Sequence, residues 1–115
     1  MKKTVLFFIM SIFLFNSSSY ANYACKGKVT TIALNASGIL TISVGNINWV
    51  YLCSLSTPHN AVAPEACKGM LALLTAAKLT GNDISLYFTD TSNDCTNSAH
   101  PAWSDLKNWY FGPVL

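Results

Sequence analysis

The chain has 115 residues, a formal charge of +2 carried by lysine alone, 51% hydrophobic and 12% aromatic side chains, and four cysteines. That length supports one small domain with a modest core, which gains from covalent help. Seven lysines without a clustered basic run do not supply the surface that displaces counterions from nucleic acid, which excludes that class of partner.

Lys2 and Lys3 precede an apolar run from Val5 to Phe15, and a polar stretch then ends in Ser19-Tyr20-Ala21. A basic start, an apolar centre and small residues at the two positions read by signal peptidases describe a secretory signal peptide, with cleavage after Ala21. About 11 apolar residues fall short of the roughly 20 that a bilayer core requires. Acylation of Cys25 is disfavoured, because Asn22-Tyr23-Ala24 lacks the small and branched residues expected before a lipidated cysteine. The expectation is a soluble domain over residues 22–115, secreted or periplasmic, in which five lysines balance five acids.

Residues 28–34, KVTTIAL, are β-branched and apolar, and Asn35 to Gly38 supplies turn chemistry behind them. ILTISV (39–44) alternates Leu40, Ile42 and Val44 against Thr41 and Ser43, a second strand. After Gly45-Asn46, residues 47–55 form a third strand with Trp49, Tyr51 and Cys53 on one face and Val50 and Leu52 on the other. Two apolar faces predict that this strand is central, with Trp49 and Tyr51 in the core.

Pro64 and Glu65 suit a first helical turn, and Met70, Leu73, Leu74 and Ala77 recur with helical spacing. The helix spans about residues 65–80 and ends at Gly81, which fits the left-handed position beyond it. Ile84, Leu86 and Phe88 alternate with Ser85 and Tyr87 as a fourth strand. Residues 89–101 are polar and loop-like, with Asp90 and Asp94 as turn formers, and Asn108 to Phe111 supplies a fifth strand. The predicted class is mainly β: order β-β-β-α-β-β, as a five-stranded Greek-key barrel of the OB type or a curled antiparallel sheet over one helix.

Cys25, Cys53, Cys67 and Cys95 are separated by 28, 14 and 28 residues. Structural zinc sites place ligands two to four residues apart, and neither His59 nor His100 lies that close to a cysteine, so no metal is expected. An even number in an exported small domain predicts two disulfides, with three connectivities available. The preferred one is Cys53–Cys67, stapling the third strand to the helix, with Cys25–Cys95 tying the first strand to the segment after the fourth. His59 and His100 read as solvated loop residues, since no carboxylate or nucleophile adjoins them in sequence. The acids lack calcium-loop spacing, and neither a phosphate-cradling glycine loop nor a nucleophile elbow occurs. The chain is therefore read as non-enzymatic and free of cofactors.

"WVYLC", a cysteine 14 residues on, "LLTAAKLTG" and then "NDISLYF" resemble the B subunits of the subtilase-cytotoxin and typhoid-toxin group, with "GKVTTI" and the final "FGP" in support. The resemblance covers roughly residues 26–90. It implies an OB-fold subunit in a ring of five that binds cell-surface glycans, often sialylated, alongside a separate toxic subunit. The family's serine hydroxyl falls near Lys26-Gly27 and its tyrosine at Phe88, with Tyr87 beside it, so both hydroxyl partners are missing or moved. Trp103, Trp109, Tyr110 and Phe111 crowd the last 13 residues, and aromatic faces flanked by Asn, Asp and Ser suit sugar rings or a protein interface. The candidate ligand-binding residues are Lys26, His59, Tyr87 and Trp103. The competing expectation is a monomeric exported inhibitor or protein-binding domain with no sugar site.

Overall fold

Alternating apolar side chains extend further toward the N-terminus than the β-branched run alone suggests, and the first strand is correspondingly long. The structure, a computed structural model, describes residues 22–115; the signal-peptide expectation falls on residues 1–21, which lie outside the described residues. Strands β1 (Tyr23–Leu34), β2 (Ile39–Val44) and β3 (Ile47–Ser54) precede helix α1 (Pro64–Thr80), and β4 (Asp83–Phe88) and β5 (Trp109–Val114) follow it. They form one antiparallel sheet in the order β3-β2-β1-β4-β5. The mainly β class, the order β-β-β-α-β-β and the single helix agree with the sequence reading.

β1 serves both halves of the sheet. Tyr23–Lys28 pair with β4, whereas residues from Val29 to Leu34 pair with β2. The change of partner occurs where the β2–β3 turn presses on β1: a Cβ on Gly27 would stand 2.7 Å from the Cα of Gly45, and the Gly45 N–H donates to the Lys28 carbonyl at 3.0 Å. Only glycine permits that approach, and it lets the long strand curl the sheet around α1.

β3 is not central. It is an edge of the sheet, as is β5. Two irregularities in its pairing with β2 break the simple alternation, so Leu52 and Cys53 are both buried while Trp49 is 38% exposed and Tyr51 half-buried. A bulge shifts the parity of every side chain beyond it. The expected core positions for Trp49 and Tyr51 fail for that reason.

Pro64 opens α1 and Gly81 closes it in the left-handed region, with φ of 70°. The helix buries Cys67, Leu74 and Ala77, half-buries Met70, and leaves Leu73 41% exposed. The buried stripe is therefore rotated toward Cys67 relative to the expected Met70–Leu73 face. That rotation is fixed covalently, because Cys67 bonds Cys53 of β3 across a Cα separation of 5.7 Å. The second disulfide joins Cys25 to Cys95. Both pairings match the preferred connectivity, and two disulfides with no free cysteine indicate an oxidising compartment, extracellular or periplasmic. Leu40, Ile42, Leu52, Leu74, Ile84 and Phe88 dominate the core between sheet and helix. Among the described residues, no helix is long and apolar enough to cross a membrane.

Candidate functional site

The polar segment between β4 and β5, residues 89–108, is a strap fastened at many points. Its ends meet where the Thr89 N–H donates to the Asn108 carbonyl at 2.9 Å. Near its start, the Ser92 and Thr96 amides donate to the carboxylates of Asp90 and Asp94, two turns of the kind these acids predict. Cys95 anchors it to β1. Asn97 then joins it to β3: its side-chain amide donates to the carbonyls of Asn48 and His100, and its Oδ1 accepts from the Asn48 N–H. A connection of this length without regular structure is uncommon in a small domain and usually carries function.

His100 is buried at 3% exposure, which corrects its reading as a solvated loop residue. Its ring lies 4.4 Å from that of Phe88, and its Nε2 is 3.2 Å from the Tyr23 hydroxyl. Burial pushes the Tyr23 phenol up to about 12, reinforced by the neighbouring charge of Asp90. For Asp90 itself, desolvation acts to raise the carboxyl, but hydrogen bonds from Tyr23, Ser92 and Asn108 outweigh it and hold the group below its ordinary value. Tyr23, His100 and Asp90 thus lock the strap onto β1 and β4.

Beyond His100 the strap runs along the open edge of β3. The Trp103 N–H donates to the Trp49 carbonyl at 2.6 Å, the Tyr51 N–H to the Ser104 carbonyl, and the Leu106 N–H to the Tyr51 carbonyl. These bonds satisfy an edge that would otherwise invite pairing with another chain. The two tryptophans consequently stack, with ring centroids 5.1 Å apart and planes at 18°. Trp49 and Trp103 have φ of 57° and 61°, a region that bulky residues rarely enter. At Trp49 the distortion belongs to the β3 bulge, where its N–H donates to the buried Ser43 hydroxyl at 2.9 Å. Trp103 stays 62% exposed.

His59 also reaches the strap. Its Nε2 lies 2.7 Å from Asp105 Oδ1, and Asn60 donates from the same turn to the carbonyls of Leu52 and Leu106. It is half-buried and bonded rather than solvated, because the strap brings a carboxylate 46 positions away to its ring.

The four candidate residues therefore fall into two groups. His59 and Trp103 meet at the strap. Lys26 and Tyr87 lie on the outer face of β1 and β4, where Lys26 opposes Ser85 and Tyr87 opposes Ala24. Tyr87 packs edge-on against Tyr110 and Phe111 of β5, at 6.5 and 5.7 Å. Lys26 shares a shallow hollow with Lys28, Asn82 and Asp83. The sequence reading missed Trp49 as a surface residue; Asn46 and Asn48 precede it, but the run that it opens carries no polar mark.

A second concave feature lies between α1 and β5. It is a half-open apolar groove of about 730 Å³, walled by Val62, Met70, Leu73, Trp109, Phe111 and Pro113. The Trp109 indole N–H is buried without a hydrogen-bond partner.

No family model, curated protein or solved structure matches the chain. Among the described residues, no three His, Cys, Asp or Glu side chains converge to hold a metal. The strap and β3 together present a partly exposed pair of stacked tryptophans with a polar border.

Proposed function

We propose that this chain is a secreted, non-enzymatic binding subunit that recognises cell-surface glycans, within a homo-oligomeric, pentameric assembly of the toxin B-subunit type. The observation that carries the reading is the Trp49–Trp103 stack. A domain of this size leaves two tryptophans in contact with solvent, in backbone conformations that disfavour them, and fastens them through a disulfide-anchored strap. Strain retained at an exposed aromatic pair points to use rather than to packing. Aromatic faces combine large apolar contact with low conformational entropy, as a sugar-binding platform requires.

Assembly draws support from the second surface. The α1–β5 groove, with Tyr110, Phe111 and Leu115 more than half exposed beside it, is apolar area of the kind that subunits bury. The same groove favours the second reading, a monomeric exported domain that binds or inhibits a protein and has no sugar site. Light scattering of the purified domain separates the two, because a monomer at micromolar concentration rules out the ring. A glycan array on the same sample tests recognition, and silence there favours the second reading.

A further inference from the structure

We propose that the Trp49–Trp103 platform selects neutral sugars rather than acidic ones, an inference that rests on the glycan-binding reading and specifies its ligand class. The π faces of the two indoles are electron-rich, so they attract the C–H face of a pyranose and repel a carboxylate. The chain around them adds no compensating positive charge. Over residues 45–51 and 96–106, the segments that carry the platform, the one formally charged side chain besides histidine is Asp105. Lys107 follows it, but lines the same small hollow as Asp105, so the two leave no net charge there.

The hydrogen-bonding border has the same bias. Asn97 spends both donors on the Asn48 and His100 carbonyls, and Asn48 spends its side-chain amide on Asn97 Oδ1 and the Asn46 carbonyl. Ser104 donates its hydroxyl proton to the Pro101 carbonyl at 2.6 Å. What these groups still offer is acceptor capacity: Asn48 Oδ1, the Ser104 Oγ lone pairs and the partly exposed Asp105 carboxylate. Sugar hydroxyls donate to such a border. A carboxylate has no proton to give to these acceptors, and desolvating it where the border carries no net positive charge is costly.

The experiment follows intrinsic fluorescence and ligand-observed NMR of the folded 22–115 domain against lactose, cellobiose and di-N-acetylchitobiose, with 3′-sialyllactose as the acidic counterpart of lactose. Supporting results are binding of at least one neutral probe, 3′-sialyllactose bound no more tightly than lactose, and at least tenfold weaker neutral binding by Trp103→Ala with substantial retention by Trp103→Phe. Circular dichroism of both variants confirms that they are folded. Tenfold preference for 3′-sialyllactose overturns the inference and leaves glycan binding standing. Neutral binding unchanged in Trp103→Ala also overturns it, by placing the sugar elsewhere. No binding of any probe, together with a silent glycan array, overturns both the inference and the reading beneath it.

Discussion

Trp49 and Trp103 are held together by their backbones before their rings meet. The Trp103 N–H donates to the Trp49 carbonyl at 2.6 Å, both residues have φ near 60°, and the stacked indoles follow from that docking. The pair therefore reports on the strap, and its energetics can be separated from the core.

Replacing Trp103 by alanine should cost about 1 kcal/mol of stability, the typical worth of an aromatic pair, because most of the indole is already in water. Trp103→Gly should be more stable than Trp103→Ala, since glycine adopts the left-handed conformation without the penalty of roughly 1–2 kcal/mol that other residues carry. Urea denaturation of the two variants measures both differences. A loss well above about 3 kcal/mol in Trp103→Ala would mark Trp103 as a core residue and remove it from the candidate site.

The two disulfides should separate the strap from the sheet. Substituting Cys25 and Cys95 by alanine releases a loop closed across 70 residues, worth about 4 kcal/mol in the chain-entropy model. The Cys53–Cys67 loop closes 14 residues and is worth about 3 kcal/mol, but both of its cysteines are fully buried, so alanine there also leaves a cavity. The distinguishing readout is the exciton signal of the tryptophan pair in circular dichroism. It should fade first in the Cys25/Cys95 variant, because that bond anchors the strap. Earlier loss in the Cys53/Cys67 variant would show that α1, rather than the strap, positions the stack.

The element order and both disulfides were legible in the sequence because they rest on local periodicity, turn residues and cysteine spacing. The site was legible only in part. Trp103 could be placed on the surface from its Pro, Ser and Asp neighbours. Trp49 could not, since a bulge opposite Ser43 reverses the side-chain parity of β3 and leaves no local mark in a run as apolar as "WVYLC". His59 and His100 were misread for a related reason. Their partners, Asp105 and Tyr23, lie 46 and 77 positions away, and only the path of the strap brings them together.

Gly27→Ala should disrupt the sheet where β1 changes partner. Its Cβ would meet the Gly45 Cα at 2.7 Å and the Gly45 nitrogen at 2.8 Å, both backbone atoms that cannot swing aside. Overpacking of this kind costs about 1–3 kcal/mol. Gly69→Ala is the control: a Cβ there meets nothing within 4 Å, and alanine improves helix propensity by up to about 1 kcal/mol. Opposite shifts of melting temperature in the two variants are expected. A neutral Gly27→Ala would mean that β1 does not need the Gly45 turn against it to curl the sheet.

The raised Tyr23 phenol predicts a specific alkaline weakness. In the unfolded chain this group ionises near 10, whereas burial holds it to about 12 in the fold. Its contribution to stability is thus complete below pH 10 and declines as pH rises toward 12, because the unfolded chain releases its proton first. The neighbouring Asp90 acts at the other end of the scale: its lowered carboxyl stabilises the fold above its ordinary value of 3.8, and that contribution disappears as pH falls through the folded value. Tyr23→Phe removes a titrating group and a hydroxyl that meets Ser92 and His100, so it should lower stability at neutral pH while flattening the decline between pH 10 and 12. Denaturation midpoints of the two proteins measured across pH 8–12 test this. Parallel curves over the whole range would mean that another group governs the alkaline transition.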